Sequence, residues 1–347
     1  MSKQMQNPSA VAIPVMAFCG IDVSARTLVV ALQRDGQEGF QQRQFPNTTG
    51  GHKQLIAWLA KLAVMARVSL EATSTYSLDL ALVLDAALNV EVAVLKPKRV
   101  HEFAKTLRRS KTDKADAIVL AEYSRRMKFV PWQRPSSSAL ELKSISRYIA
   151  TLREQNTRLG NRLHAAQATH TTPLCILRAL KRSMAQTQQS ILAMTRNAIA
   201  LIRQNRELQS KFDALVGIKG IAQTSAIQLL GELAGLDPSM TVRQWVAFSG
   251  LDPEHHESGT SVHPRSHISR HGNRHLRRAL YMPALSGARF DPHMKAFYQQ
   301  LQARQKTKLQ ALMAVARKLL HAIFGIFKTA TPYNGAKLFP NIQITTS

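Results

Sequence analysis

Four carboxylates occupy positions in the sequence from which they can act together on a metal ion. Asp22 and Glu71 each stand near the end of an apolar, strand-like run, where an ionised side chain is costly unless it is exposed at a sheet edge or bound to a cation. Asp113 and Asp116 fall at the start of a predicted helix, spaced so that both project from one face. Mg²⁺, with Mn²⁺ as a substitute, prefers such oxygen ligands, and a pair of ions supports in-line displacement at phosphorus. The set predicts cleavage and exchange of phosphodiester bonds.

Each of these residues also has a purely structural explanation. Asp22 can cap a turn, and Glu71 can pair with a nearby arginine. Asp113 can be a simple N-cap, with Asp116 favourably placed at the positive end of the helix dipole. The residue types and spacing therefore leave the metal site open as a hypothesis.

The elements that position the four carboxylates alternate between strands and helices. Alternation of this kind is typical of a mixed α/β sheet. The predicted order is strand 17–23, strand 27–32, strand 39–45, helix 54–63, strand 67–72, helix 78–88 and strand 90–95, then helical sequence over 101–126 with a break at 110–113.

The rest of the chain is predicted to be helical. Apolar residues recur at heptad spacing in two stretches, which predicts a long antiparallel hairpin, and the polar Asn156 interrupts the first seam. An ordinary bundle core and a coiled coil between chains explain this pattern equally well. The predicted fold class is α/β plus α, divided into a flexible N-terminus 1–15, a catalytic domain 16–130, a helical hairpin 138–210, a mainly helical C-terminal domain 211–330 and a tail 331–347.

The charge of the chain points to a polyanionic partner. Lys and Arg number 47 against 21 Asp and Glu, a formal net charge of +26. The excess recurs in several separate regions, which suits a protein that holds more than one nucleic-acid strand. A solvated basic surface, attraction to a membrane surface and binding of RNA in the manner of ribosomal proteins are the alternatives.

Cysteine content and hydropathy suggest a protein of the reducing cytoplasm. Only Cys19 and Cys175 occur, too few for a disulfide framework or a structural zinc site. The apolar run Val11 to Ile21 is broken by Pro14 and Gly20 and is shorter than the roughly 18 residues that a membrane span needs. We therefore expect no membrane association, and a bacterial, nucleoid-associated location.

Several basic or glycine-rich segments are candidates for phosphate binding. The turn Gly217-Ile-Lys219-Gly220 before a predicted helix resembles a helix-hairpin-helix element, whose backbone N–H groups bind the DNA backbone, although glycines at this spacing also serve as helix caps. The side chains expected to contact phosphates are Lys111, Lys114, Lys219, Arg270, Arg274, Arg277 and Arg278, for which a solvated basic face is the alternative.

Three strings in the N-terminal part carry a resemblance to a known family. They are Gly20-Ile-Asp-Val-Ser, Leu70-Glu-Ala-Thr-Ser-Thr-Tyr and Lys111-Thr-Asp-Lys-Ala-Asp-Ala. With Phe248-Ser-Gly-Leu-Asp-Pro, Glu257-Ser-Gly-Thr-Ser-Val and the segment from Ile268 to Leu280, they resemble insertion-sequence transposases of the Piv/MooV type, the one-ten family. Two positions depart from the family's usual pattern, Ser74 in place of Gly and Arg270 in place of Lys.

The resemblance implies a RuvC-like, RNase H-like domain with a DEDD carboxylate set at Asp22, Glu71, Asp113 and Asp116. It further implies that Ser258 is the nucleophile and forms a covalent phosphoserine link with DNA, which the residues alone would not single out from Ser261, Ser266 and Ser269. The expected partners are donor and target DNA, a structured bridge RNA that selects both sites, and further copies of the chain in a tetramer.

Two other functions compete with this reading. A Holliday-junction resolvase would use the four carboxylates with water as the nucleophile, and its C-terminal third would only clamp DNA. A non-catalytic nucleic-acid scaffold would need only the basic surface and the long helices. The first reading requires metal carboxylates in one domain and a nucleophilic serine in another, assembled into a composite site.

Overall fold

A computed structural model describes residues 16–72, 76–107, 113–254, 267–269, 271–329, 331–340 and 342. The predicted flexible N-terminus, 1–15, lies outside these residues. The chain divides into two compact units, residues 1–134 and 135–347.

The first unit is built on a five-stranded mixed sheet. Its strand order is β3-β2-β1-β4-β5, with β2 antiparallel to both β1 and β3, and with β1, β4 and β5 parallel to one another. The strands are β1 (Met16–Val23), β2 (Thr27–Arg34), β3 (Gln41–Pro46), β4 (Met65–Glu71) and β5 (Val90–Leu95). The helices are α1 (Thr49–Ala60), α2 (Leu78–Asp85), α3 (Pro97–Leu107) and α4 (Asp113–Arg126). All the strands and helices predicted for this unit are present, with shifted ends.

Local sequence explains where these elements begin and cross over. Two parallel connections lead from β3 to β4 and from β4 to β5, each through a helix, as parallel strands require. Helix α1 begins after Thr48, whose hydroxyl accepts a hydrogen bond from the backbone N–H of Gly51 at 3.2 Å. The buried centre of β1 and β4 is almost wholly apolar, as expected for strands covered on both faces.

Helix α4 lies directly on strand β1 because Gly20 has no side chain. A Cβ atom at Gly20 would stand 2.0 Å from the carbonyl oxygen of Ala117 and 2.3 Å from the backbone nitrogen of Ala121. The two alanines are fully buried and pack against Ala31 of β2. Small residues on both sides therefore allow the backbones of sheet and helix to touch.

In its described residues, the second unit contains helices and one short strand pair. Its helices are α5 (Ser137–Gln167), α6 (Leu174–Gln204), α7 (Arg206–Val216), α8 (Gln223–Leu233), α9 (Val242–Ser249), α10 (Arg274–Phe290), α11 (Pro292–Ala303), α12 (Lys308–Thr329) and α13 (Gly335–Leu338). The strands β6 (Pro253–Glu254) and β7 (His267–Ile268) pair antiparallel. Helices α5 and α6 pack on each other within the chain. Of the two explanations of the heptad pattern, this packing agrees with an ordinary bundle core.

One hydrophobic core joins the helical hairpin to the C-terminal region, which the sequence pattern predicted as separate domains. Leu142 of α5 and Ile202 of α6 belong to the same buried cluster as Leu230 of α8 and Leu320 of α12. The hairpin and the C-terminal region are thus one compact unit, since the inner ends of the two long helices bury their apolar faces against the shorter ones. The segment predicted as a tail contributes too: Phe339 is buried and its ring lies 5.1 Å from that of Phe297.

Helix α12 is long and apolar enough to cross a membrane by length and composition alone. Its apolar residues are nevertheless the centre of the second unit, with Val315, Leu319 and Ile323 essentially inaccessible to solvent. Packing of this kind is typical of a core helix in a globular domain.

Candidate active site

Asp22 and Glu71 stand side by side at the carboxyl ends of two neighbouring parallel strands. Ile21 of β1 pairs with Leu70 of β4, and Asp22 and Glu71 are the next residue in each strand. Adjacent strands lie about 4.8 Å apart, so the two carboxylates share one edge of the sheet. Both residues are half-buried, whereas the residues before them in the strands are fully buried.

Both carboxylates point to the face of the sheet that α4 covers. Gly20 contacts the backbone of α4 on that face, and Ser69 accepts a hydrogen bond there from the Ser124 hydroxyl at 2.6 Å. Side chains two residues apart in a strand share a face. Asp22 follows Gly20 and Glu71 follows Ser69 at this spacing, so α4 and the two carboxylates lie on the same side.

The first turn of α4 brings Asp116 into this neighbourhood. Asp116 is half-buried and immediately precedes Ala117, whose carbonyl oxygen lies against Gly20. Asp113 is the first residue of the helix, and its side chain, like that of Lys114, lies outside the described part. Three of the four predicted carboxylates are thus carried by elements that meet at one edge of the sheet.

The chemistry of this donor set suits a hard divalent cation. Carboxylate oxygens are what Mg²⁺ prefers, and protein sites for it commonly supply only one or two carboxylates, with water and substrate phosphate completing the coordination. Among the described side chains no group of three His, Cys, Asp or Glu is close enough to hold a metal ion. The structure therefore does not gather Asp22, Glu71 and Asp116 into one three-ligand site.

A small polar network, which sequence reasoning missed, ties down the loops after β1 and β4. The Asn47 amide donates hydrogen bonds to the backbone oxygens of Ser24 at 2.8 Å and Tyr76 at 3.2 Å. Its oxygen lies 2.8 Å from Nε2 of His52, which is buried. Since the Asn47 nitrogen is the donor to both carbonyls, its oxygen accepts and His52 carries the proton on Nε2. Asn47 thus braces the residues that follow Asp22 and Glu71.

Burial keeps His52 in a defined protonation state. Desolvation lowers the pKa of its imidazole below the ordinary value, and the charge of Asp79 opposes that effect. A neutral ring holds Asn47 in one orientation. The sequence contains little indication of this network. It shows only an Asn five residues before a His near the start of a helix.

In the second unit, close packing explains the second glycine of the turn between α7 and α8. Gly220 has φ of +103°, and a Cβ there would lie 2.8 Å from the backbone nitrogen of Gly287 in α10. Gly217 caps the C-terminus of α7, and Lys219 between the two glycines is exposed. The glycines are thus explained by capping and close packing, and Lys219 remains available to a phosphate.

The basic residues of α10 divide into exposed and structural ones. Arg274 and Arg278, one helical turn apart, are exposed, and Arg278 forms an ion pair with Glu154 of α5. Arg277 is half-buried and donates a hydrogen bond to the backbone oxygen of Ser249 at 2.8 Å. Of the predicted contacts on this helix, Arg274 is the most accessible to nucleic acid.

A buried carboxylate fixes the start of α10. Glu232 of α8 accepts hydrogen bonds from Arg147 at 2.7 and 2.9 Å and from the Asn273 amide at 2.6 Å. Asn273 in turn caps α10, its side-chain oxygen accepting from the N–H groups of His275 and Leu276. Burial by itself would raise the pKa of Glu232, but the hydrogen bonds from Arg147 and Asn273 outweigh it, so that the pKa lies below its ordinary value.

The predicted nucleophile falls outside the described residues, as do its rivals Ser261 and Ser266. Ser258 belongs to the segment 255–266, and Lys111 and Arg270 are likewise outside. The two ends of the Ser258 segment are placed, because Pro253 pairs with Ile268 and Glu254 with His267. Ser269, the third rival, donates its hydroxyl to Asp252 at 2.7 Å, beside this strand pair.

Comparison with known proteins places the chain in a family. Two family models match the chain: the IS110 DEDD domain, described as transposase, over residues 19–170, and the transposase IS116/IS110/IS902 family over residues 213–299. Together they account for more than half of the chain.

Curated relatives extend over nearly its whole length. The chain is 27% identical to the pilin gene-inverting protein of Moraxella bovis over 323 residues, 91% of this chain and 97% of the relative. It is 26% identical to the protein of the same name from Moraxella lacunata over the same extent. An insertion element IS110 protein of Streptomyces coelicolor is 30% identical over 144 residues, 39% of this chain and 35% of that one. The chain belongs to the IS116/IS110/IS902 family of transposases and is an enzyme that acts on DNA.

Proposed function

We propose that this transposase cuts and exchanges DNA strands with Mg²⁺ bound by Asp22, Glu71, Asp113 and Asp116, and with Ser258 as the nucleophile. The observation that carries the proposal is the register of β1 and β4, which sets Asp22 and Glu71 on one face at the start of α4. The strand order of the sheet, three antiparallel strands followed by two parallel ones, supports a RuvC-like, RNase H-like domain.

In the proposed reaction the Ser258 hydroxyl attacks a DNA phosphorus. The bond from Oγ to phosphorus forms as the bond to the leaving deoxyribose oxygen breaks, and the serine proton passes to solvent or a nearby base. Bound Mg²⁺ would stabilise charge on the phosphoryl oxygens. The carboxylates at the strand ends would hold the ion in position, and Asn47 braces the residues that follow two of them.

We further propose that the enzyme works as a tetramer on donor and target DNA, guided by a structured bridge RNA. A net charge of +26 supports a partner set larger than one duplex. Exposed apolar side chains near the outer end of the long hairpin, Leu174 and Ile176, and Leu192 further along α6, support contacts between chains.

The serine mechanism is tested by the covalent adduct. Purified protein incubated with Mg²⁺ and DNA from the ends of its element should form a protein–DNA species that survives denaturation, and Ser258→Ala should abolish it. Ser269→Ala, one of the near rivals, is the matched control and should retain it. An adduct that persists in Ser258→Ala would remove the serine assignment. Cleavage of branched DNA that leaves only free ends in both proteins would favour the resolvase.

The guided part of the proposal has a separate test. The protein is expressed together with the DNA that flanks its gene, and the RNA that copurifies is sequenced. One enriched, structured transcript from the flank is the expected result. A background of unrelated cellular RNA would contradict guidance while leaving the recombinase intact.

A further inference from the structure

A cavity of about 760 Å³ in the second unit is lined by three arginines and by large apolar side chains. Its walls come from α5, α8, α10 and α12, together with Ile268 at the end of β7. Its size falls within the range of pockets that bind small molecules and single nucleotides. Arg277 and Arg278 of its lining were predicted to contact phosphates, whereas Arg153 was not.

The arginines of the cavity differ in their partners. Arg278 pairs with Glu154, and Arg277 donates to the Ser249 backbone. Arg153 of α5 is half-buried and, within the part of the chain that the structure describes, has no carboxylate within ion-pairing distance. Burial lowers the pKa of its guanidinium, without bringing it near neutrality in a protein. A half-buried cation without a counter-charge favours an anionic ligand.

The apolar side of the cavity is exposed rather than packed. Met282 of α10 and Leu309 of α12 are each 60% exposed, and Tyr281 of α10 is 38% exposed. Side chains of this kind beside a cation match the two halves of a nucleotide, whose phosphate is anionic and whose base is flat and weakly polar. Neither an isolated phosphate nor a lone apolar ligand would use both walls.

The position of the cavity points to DNA as the source of that nucleotide. Ile268 lies in the wall and pairs with Pro253, so the cavity adjoins the base of the segment that carries Ser258. Thr224 and Ser225, in the first turn of α8, supply hydroxyls along the same wall.

We propose that this cavity holds one unpaired nucleotide of the DNA strand presented for cleavage, with its phosphate on Arg153 and its base against Tyr281 and Met282. The site would fix the strand by extracting a base from the stack, as other enzymes that act on DNA do. The proposal rests on the proposed function only in taking the strand to be that on which Ser258 acts.

The test measures binding without chemistry. The full-length chain, kept in a chelator so that no cleavage occurs, is titrated with a fluorescent single-stranded oligodeoxynucleotide of about 12 nucleotides. Arg153→Gln should weaken binding about tenfold, the effect of losing one charge-assisted hydrogen bond. Arg162→Gln removes the same charge from an exposed site on the same helix and should change binding by less than about twofold. Equal effects of the two substitutions would overturn the proposal.

A crosslink locates the base independently of any substitution. The same oligonucleotide carrying one 5-iodouracil is irradiated with the wild-type chain, and the labelled tryptic peptide should be Ala279–Arg289, which holds Tyr281 and Met282. Labelling confined to other peptides would overturn the proposal. Stronger labelling of this peptide by RNA of the same sequence would also overturn it, because the cavity would then bind RNA. A change in oligomeric mass of Met282→Asp with unaltered DNA binding would overturn it too, because the apolar surface would then be a contact between chains.

The two proposals fail separately. Loss of the covalent adduct in Ser258→Ala does not depend on the crosslink, and the crosslink is measured where no adduct can form. If the expected peptide is crosslinked but no serine adduct forms, the nucleotide site is retained and Ser258 is not the nucleophile.

Discussion

The two units each hold carboxylates in a strongly basic chain, but they treat them in opposite ways. Glu232 is 4% exposed, and an arginine and an amide occupy its oxygens. Asp22 and Glu71 are half-buried at strand ends and share their face with the first turn of a helix that brings a third carboxylate. A carboxylate that an arginine and an amide hold inside a core stabilises a fixed structure, whereas carboxylates at adjacent strand ends stand where a cation could reach them.

The difference teaches that a buried carboxylate with a displaced pKa can be purely structural. Glu232 is buried and its pKa is lowered, and its partners Arg147 and Asn273 join α5, α8 and the start of α10. The carboxylates of the sheet edge are distinguished by where the strands end. Substitutions in the two places should therefore separate loss of activity from loss of stability.

The largest effect is expected from Asp22→Asn. The side chain keeps its size but loses the charge that binds metal, and strand transfer should fall by at least about a hundredfold, equivalent to about 3 kcal/mol of transition-state stabilisation. Thermal unfolding without metal should change little. Rates of adduct formation at several Mg²⁺ concentrations measure the first effect, and a melting curve measures the second. Full activity in Asp22→Asn would show that Asp22 does not bind a catalytic metal ion.

Gly20→Ala should be the most damaging structural change in the first unit. The added methyl group would meet backbone atoms of Ala117 and Ala121, which cannot turn aside, and we expect about 2 to 3 kcal/mol of destabilisation from overpacking. Gly325→Ala in α12 is the contrasting control. No atom lies within 4 Å of its added Cβ, so better helix propensity should stabilise the chain by up to about 1 kcal/mol. Chemical denaturation of the two variants distinguishes them; equal stability would contradict the close contact of β1 with α4.

Glu232→Gln should act on stability rather than chemistry. The amide leaves Arg147 without its counter-charge, and we expect the free energy of unfolding to drop by about 2 kcal/mol. Adduct formation by the folded variant, measured well below its melting temperature, should stay within a few-fold of wild type. If Glu232→Gln is as stable as wild type but inactive, Glu232 has a role in the chemistry and not in stability.

The pH dependence of stability should depend on the same residue. The pKa of Glu232 is lowered in the folded chain, so its contribution is fully present above the unfolded value of about 4.3 and is lost as the pH falls through the folded value. The gap in melting temperature between wild type and Glu232→Gln should therefore narrow as the pH falls below about 4. A gap that is constant from neutral to acidic pH would show that charge is not what stabilises the cluster.

A smaller effect is expected from Asn47→Ala. Two backbone carbonyls and His52 lose their partner, and residues that orient metal ligands from behind typically contribute about tenfold to metal affinity or activity. A higher Mg²⁺ concentration should restore most of the rate. Failure of Mg²⁺ to do so would mean that Asn47 supports the fold alone.

The sequence was most informative about the first unit because strands leave a regular signature. The apolar runs of β1, β4 and β5 predicted the sheet, and their ends placed Asp22 and Glu71 together. The spacing of apolar residues could not reveal Gly20, whose role depends on a helix more than ninety residues away in sequence. It could not reveal Asn47 either, whose partners come from two separate loops and from helix α1. The shared core of the second unit was missed because heptad spacing reports a helix's apolar stripe and not what covers it.

The pairing of Pro253 with Ile268 closes the ends of the chain segment that carries Ser258. Residues 253 and 268 therefore stand next to each other on the second unit, so that the chain enters and leaves that segment at a single place.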